Sequence, residues 1–155
     1  MTVLENVMIG AERPGNEIAG TPAAVVARAL AALEFVGLRG AAGRMVGTLS
    51  YGHQRYVEIA RALAGNPRVL LLDEPAAGLN MTEKQELGAL LLRLKGHGLT
   101  ILVVDHDMTL VEQVADHITV LNFGRRIADG DPRAVLHEPD VIAAYLGEPR
   151  VDAAA

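Results

Sequence analysis

The segment Val69-Leu70-Leu71-Leu72-Asp73-Glu74-Pro75 constrains the fold more than any other stretch of the chain. An aliphatic run gives way abruptly to two adjacent carboxylates and a proline. The run reads as a strand buried on both faces, as in parallel sheets. Unpaired charge inside such a strand is costly, so Asp73 and Glu74 must emerge at its carboxyl end. Open α/β sheets place their ligands at that rim. Pro75 then stops the ladder by removing an N–H.

Thr100 to Asp105 repeats the design, with aliphatic residues closed by a polar group. Between the two strands the spacing predicts a helix to about Lys95. It opens on Thr82-x-x-Gln85 as a capping box and turns Leu87, Leu90, Leu91 and Leu94 inward. Strand, helix and strand form a βαβ unit, whose strands should be parallel with a right-handed crossover.

Upstream, Met1 to Ile9 reads as a short helix and Gly10 to Gly20 as a loop. Thr21-Pro22 opens a helix over 23–36, with Val26, Ala29, Leu30 and Leu33 on one stripe, and Gly37 ends it. Residues 38–49 contain Gly40, Gly43 and Gly47 and read as a flexible connector. A further helix runs from Ser50 to about Ala64, with Val57, Ala60, Leu63 and Ala64 inward, and stops at Gly65-Asn66-Pro67. Downstream, a helix is expected from Met108 to Ala115. A hairpin of Ile118–Asn122 with Arg126–Ala128 follows, turning through Phe123-Gly124-Arg125. Asp131-Pro132 caps a short helix to Leu136, Pro139 starts another to Leu146, and Arg150 to Ala155 reads as a frayed tail.

Composition narrows the class. Half of the 155 residues are hydrophobic but only 3% are aromatic, so the core is aliphatic. The net charge of −5 and the two lysines, Lys84 and Lys95, argue against nucleic-acid binding, which needs clustered cations. With no cysteine there is no disulfide framework and no thiolate metal site. No apolar run approaches the roughly 20 residues of a membrane span, and no basic-then-apolar leader pattern occurs.

Three polar segments follow in order: Leu49-Ser50-Tyr51-Gly52-His53-Gln54, then Asp73-Glu74, then His106. The first puts Ser50 and Gly52 at a helix N-terminus, where exposed N–H groups and the dipole favour an anion. Taken singly, it is an ordinary Ser N-cap. Asp73 suits Mg²⁺, which takes a carboxylate together with waters and substrate phosphates. Glu74 suits a general base that orients water; the bland alternative is two acids capping a turn. His106 could hydrogen-bond a transferring phosphate or simply be satisfied in a loop, with Asp105 and Asp107 beside it.

The order and spacing of LSYGHQ, VLLLDEP, AAGLN and VVDHD resemble the ATP-binding cassette (ABC) ATPases. LSYGHQR is similar to that family's signature motif, LLLDE to its Walker B motif, AAGLN to its D-loop, and His106 to its switch histidine. The wording of LSYGHQR and AAGLN, with the ending Val141 to Gly147, resembles the cassettes of branched-chain amino-acid importers.

The resemblance implies an α/β, partial P-loop NTPase fold: parallel strands with flanking helices, a helical subdomain and a C-terminal β-hairpin. Residues 1–66 would form the helical subdomain with the signature motif, 67–147 the carboxyl part of the catalytic core, and 148–155 the tail. It implies ATP and Mg²⁺ as cofactors, Asp73 serving the metal, Glu74 polarising water and His106 sensing the γ-phosphate. Ser50, Tyr51, Gly52, His53 and Gln54, with Gly78, Leu79 and Asn80, would form the nucleotide-facing segments. Ser50 and Gly52 would contact ATP held by a second cassette subunit in a head-to-tail dimer. Transmembrane permease subunits would be the other partners, placing the protein in the cytoplasm on the inner face of the membrane. Asn80 stands where the family's D-loop usually has Asp, and Tyr51 and His53 depart from its common Gly-Gly-Gln wording.

The phosphate-cradling loop G-x-x-x-x-G-K-[ST] does not occur in these residues, since Lys84 follows Glu83 and Lys95 follows Leu94. The chain is therefore expected to correspond to the carboxyl part of a cassette, from just after the Q-loop, to hold ATP weakly alone and to bare part of its sheet. Two other readings compete. One is a non-catalytic module that pairs with an intact cassette or permease. The other is a small α/β phosphate-binding or receiver-type domain using Asp73 and Asp105 as strand-end acids, which explains neither LSYGHQ nor AAGLN.

Overall fold

The computed structural model describes residues 1–12 and 21–146, so the Arg150–Ala155 tail and most of the Gly10–Gly20 loop lie outside the described residues. The chain divides into two compact units, Met1–Val104 and Asp105–Ala155.

In the first unit, α1 spans Val3–Ala11, two residues beyond the expected end. Thr2 and Glu5 form a capping box at its start. α2 spans Pro22–Phe35, with Thr21 accepting the Ala24 N–H and proline in the first turn. Its buried stripe is Val25, Ala29, Ala32 and Leu33. Val26 and Leu30 are only half-buried, so the stripe is rotated from the expected one. α2 packs against both α1 and α3, and the placement of these two neighbours sets which side of it is buried.

Residues 38–49 are not a loose connector. They contain two short 3₁₀ turns, Arg39–Ala41 and Val46–Thr48. The N–H groups at the start of α1 bond back to this segment, Val3 to the Arg44 carbonyl at 2.8 Å and Leu4 to that of Ala42 at 2.9 Å. These are donors that a helix cannot satisfy within itself, and the carbonyls of Arg44 and Ala42 take them.

α3 spans Tyr51–Ala64 and buries Gly52, Val57, Ile59, Ala60 and Ala64, while Leu63 is half-buried. β1 spans Val69–Asp73, α4 spans Met81–Gly96, and β2 spans Thr100–Val104. Leu87, Leu90, Leu91 and Leu94 of α4 are buried as the spacing predicts. The cap is not Thr82-x-x-Gln85. Asn80 caps the helix and Glu83 closes the box, two residues earlier. Both quartets satisfy the sequence rule, but only Asn80 sits where the chain changes from extended to helical, at φ −76° and ψ 173°.

β1 and β2 pair in parallel, from Val69 opposite Thr100 to Asp73 opposite Val104. Burial on both faces is not observed. Leu70 is buried, but Val69, Leu71, Leu102 and Val104 are 52%, 68%, 58% and 59% exposed. The crossover helix covers one face of a βαβ unit, and no described element covers the other.

In the second unit, α5 spans Met108–Val114, β3 spans Ile118–Asn122 and β4 spans Arg125–Gly130. The hairpin turn is two residues, not three. Phe123 and Gly124 have φ of 46° and 76°, and Arg125 already belongs to β4. α6 spans Pro132–Val135, capped by Asp131, and α7 spans Pro139–Leu146. Ile118, Val120, Ala128, Val135 and Val141 form this unit's core.

Candidate functional site

The parallel register brings the carboxyl ends of β1 and β2 to one rim. The ladder continues one residue past β1, where the Glu74 N–H donates to the Val104 carbonyl at 2.7 Å. Glu74 adopts φ 45°, a left-handed conformation rare for a residue with a side chain. It turns the backbone sharply. The Ala77 N–H then bonds the Glu74 carbonyl at 3.1 Å and the Leu79 N–H bonds that of Ala76 at 3.2 Å. Pro75, Ala76 and Leu79 are buried by this path, whereas Asp73 and Glu74 stay exposed at the rim. The apolar turn thus anchors two carboxylates that face solvent.

The first turn of α3 packs against that same loop. Ser50 caps the helix, its Oγ accepting the His53 N–H at 3.3 Å and lying 3.1 Å from His53 Nδ1. The Gln54 side-chain amide donates to the Leu49 carbonyl at 3.0 Å, fixing the residue before the cap. A Cβ on Gly52 would fall 2.7 Å from Glu83 Oε1, and a Cβ on Gly78 would fall 2.9 Å from Cε1 of Tyr51. The space above Gly52, expected from the sequence to admit a phosphate, admits the Glu83 carboxylate here. Of the residues singled out by sequence, the structure thus joins Tyr51 and Gly52 to the Gly78–Asn80 loop.

Sequence reasoning missed Glu83 and Arg55. Asn80-x-x-Glu83 was a legible capping box, overshadowed by the one two residues later. Arg55 donates to the Tyr51 hydroxyl at 2.9 Å and to Glu58 at 2.9 Å. The bond to Glu58, more than the burial that opposes it, pushes the Arg55 pKa further up.

In the second unit, His106 is the second residue past β2 and its side chain is 70% exposed. Its Nδ1 lies 3.9 Å from Oδ1 of Asp105, whose side chain is fully buried. That oxygen accepts the Asp107 N–H at 2.9 Å, and Asp107 accepts the Leu110 N–H at 3.0 Å to cap α5. Asp105 and Asp107 therefore shape the turn and leave the imidazole presented outward.

Among the described residues no group of three His, Asp or Glu side chains converges as a self-sufficient cation cage. Asp73 nevertheless fits the way Mg²⁺ is held, by one carboxylate with waters and substrate phosphates completing the shell.

The chain has clear counterparts among known proteins. The profile of the ABC transporter family matches residues 1–77, and that of the branched-chain amino acid ATP-binding cassette transporter matches residues 125–151. The chain belongs to the ATP-binding cassette family. Within that family it is 46% identical to the high-affinity branched-chain amino acid transport ATP-binding protein BraF of Pseudomonas aeruginosa, over 96% of this chain and 63% of the relative. It is 41% identical to the corresponding protein LivG of Escherichia coli K12, with the same coverages.

Among solved structures, the ADP conformation of an ATP-binding cassette of an ABC transporter superposes with a TM-score of 0.82 at 34% identity. That match covers 96% of this chain and 63% of the other. A nucleotide-free cassette superposes at 0.81, also at 34% identity, over 96% of this chain and 64% of the other. The fold is therefore that of the P-loop NTPase cassettes, and the chain spans 63% of the length of these curated relatives. Among the described residues no helix is long and apolar enough to cross a membrane.

Proposed function

We propose that this chain is the carboxyl part of an ATP-hydrolysing cassette that powers an importer for branched-chain amino acids. In this reading Asp73 holds Mg²⁺, which when bound neutralises charge on the transferring phosphate. Glu74 orients the attacking water and takes up its proton, and exposed His106 donates a hydrogen bond to the γ-phosphate. Ser50 and Gly52 meet the nucleotide of a second cassette, and the permease subunits it drives lie in the membrane. The observation that carries the reading is the Glu74 backbone. Its left-handed turn and its N–H bond to Val104 hold a carboxylate outward at the rim where both strands end.

Nothing in these residues supplies a lysine-bearing phosphate loop, so the chain alone should bind Mg-ATP no tighter than about 1 mM, or about −4 kcal/mol. Titration calorimetry tests this, and micromolar affinity refutes it. Supplied with the complementary cassette segment and permease, the Glu74→Gln chain should lose at least about 10²-fold in turnover while still retaining ATP. Undiminished turnover sinks the assignment of Glu74.

A further inference from the structure

We propose that Tyr51 is a positioning residue that latches the first turn of α3 to the Gly78–Asn80 loop, so that these two segments of one chain move as a block. The inference rests on the cassette reading for its consequence, but not for its geometry. Tyr51 is 50% exposed, so burial does not explain an aromatic ring there. The ring instead lies on Gly78, where a Cβ would stand 2.9 Å from Cε1 and 3.5 Å from Cδ1 and Cζ. Gly78 also has φ 76°, which disfavours any side chain. Loop backbone and ring are therefore in close contact with nothing between them.

The ring is itself held from behind. Arg55, one turn along α3, donates to the Tyr51 hydroxyl at 2.9 Å, and its guanidinium carbon lies 5.3 Å from the ring centroid. Glu58 in turn anchors Arg55 at 2.9 Å. Glu58, Arg55 and Tyr51 thus form a braced row along α3 that ends on Gly78.

A second tie acts one residue later. Glu83 sets Oε1 over Gly52, while its Oε2 accepts the Asn80 N–H at 3.0 Å. One carboxylate therefore touches both α3 and the far end of the loop. With Tyr51 on Gly78 and Gly52 under Glu83, consecutive residues of α3 grip both ends of Gly78–Asn80. A displacement of Ser50–Gly52 by a nucleotide would then carry this loop with it, and a displacement of the loop would move the helix start.

Amide exchange on the 155-residue chain tests the latch without any nucleotide. The Leu79 and Asn80 N–H groups are bonded to the Ala76 carbonyl and to Glu83, so they report loop opening. Tyr51→Ala should raise exchange at both about tenfold and leave amides of α2 and β1 unchanged. Tyr51→Phe should keep wild-type protection, because the ring makes the contact. Tyr51→Leu should lose it, and provides a second probe should the alanine variant fold poorly. Unchanged exchange at Asn80 in both Tyr51→Ala and Tyr51→Leu overturns the proposal, as does a rise spread evenly through α1–α3, the mark of a merely structural ring. If the latch opens as expected but the complemented cassette hydrolyses no ATP, the proposed function fails and the latch stands.

Discussion

Single residues show where local rules give way. Phe123 is fully exposed and takes the first position of a two-residue turn with φ 46°, followed by Gly124 at φ 76°. That turn favours Asn, Asp or Gly first, because a bulky side chain in left-handed backbone is strained by about 1–2 kcal/mol. Phe123→Asn should therefore stabilise the chain by about 1 kcal/mol, read as a higher urea midpoint at unchanged slope. A lower midpoint means that the ring makes a contact worth more than the strain.

Asp129 offers a pH test. The Thr119 hydroxyl donates to it at 2.5 Å and His117 Nε2 lies 3.2 Å away. The hydroxyl first, then the imidazole, holds its pKa below the ordinary carboxylate value. A lowered folded-state pKa stabilises the hairpin at pH above the unfolded-state value, and that contribution fades as pH falls through the folded-state value. An NMR titration should find Asp129 ionised below the usual carboxylate range, and Thr119→Val should raise its midpoint. Equal midpoints in the two proteins refute the role of the hydroxyl. None of this was legible in the sequence, because Thr119 and Asp129 meet only through the register of β3 and β4.

At the scale of elements, legibility followed locality. The α2 and α3 caps and the leucine spacing of α4 depend on residues within a few positions of one another, and they appear where the sequence puts them. The α4 cap was misplaced because two boxes compete in six residues, and the winner is set by where the loop after β1 releases the chain. Residues 38–49 looked loose because their partners, the first N–H groups of α1, lie some forty residues upstream. The box itself is testable. Asn80→Ala should cost about 1 kcal/mol and speed amide exchange across the first turn of α4, whereas Asn80→Asp should preserve both. If Asn80→Ala leaves that turn protected, Thr82 and Gln85 have taken over the cap.

At the scale of the whole molecule, the strands carry the lesson. Leu70, Leu71 and Leu72 are indistinguishable as letters, and a continuous aliphatic run predicts burial on both faces. Yet Leu70 is 4% exposed and Leu71 is 68% exposed, since burial depends on what lies across the sheet. The chain spans 63% of its relatives' length, and the bare face carries Val69, Leu71, Leu102 and Val104. If that face contributes little to the stability of this chain, replacing Leu71 and Leu102 together by Thr should shift stability by no more than about 1 kcal/mol. It should also reduce self-association, because a contiguous apolar patch beside unpaired strand edges is what drives it. Leu90→Ala, on the covered side, should by contrast cost about 2–5 kcal/mol. Urea unfolding together with sedimentation at rising concentration decides between the two faces. A double threonine variant as damaged as Leu90→Ala would mean that the face is already packed in solution, by a second copy if sedimentation shows dimers.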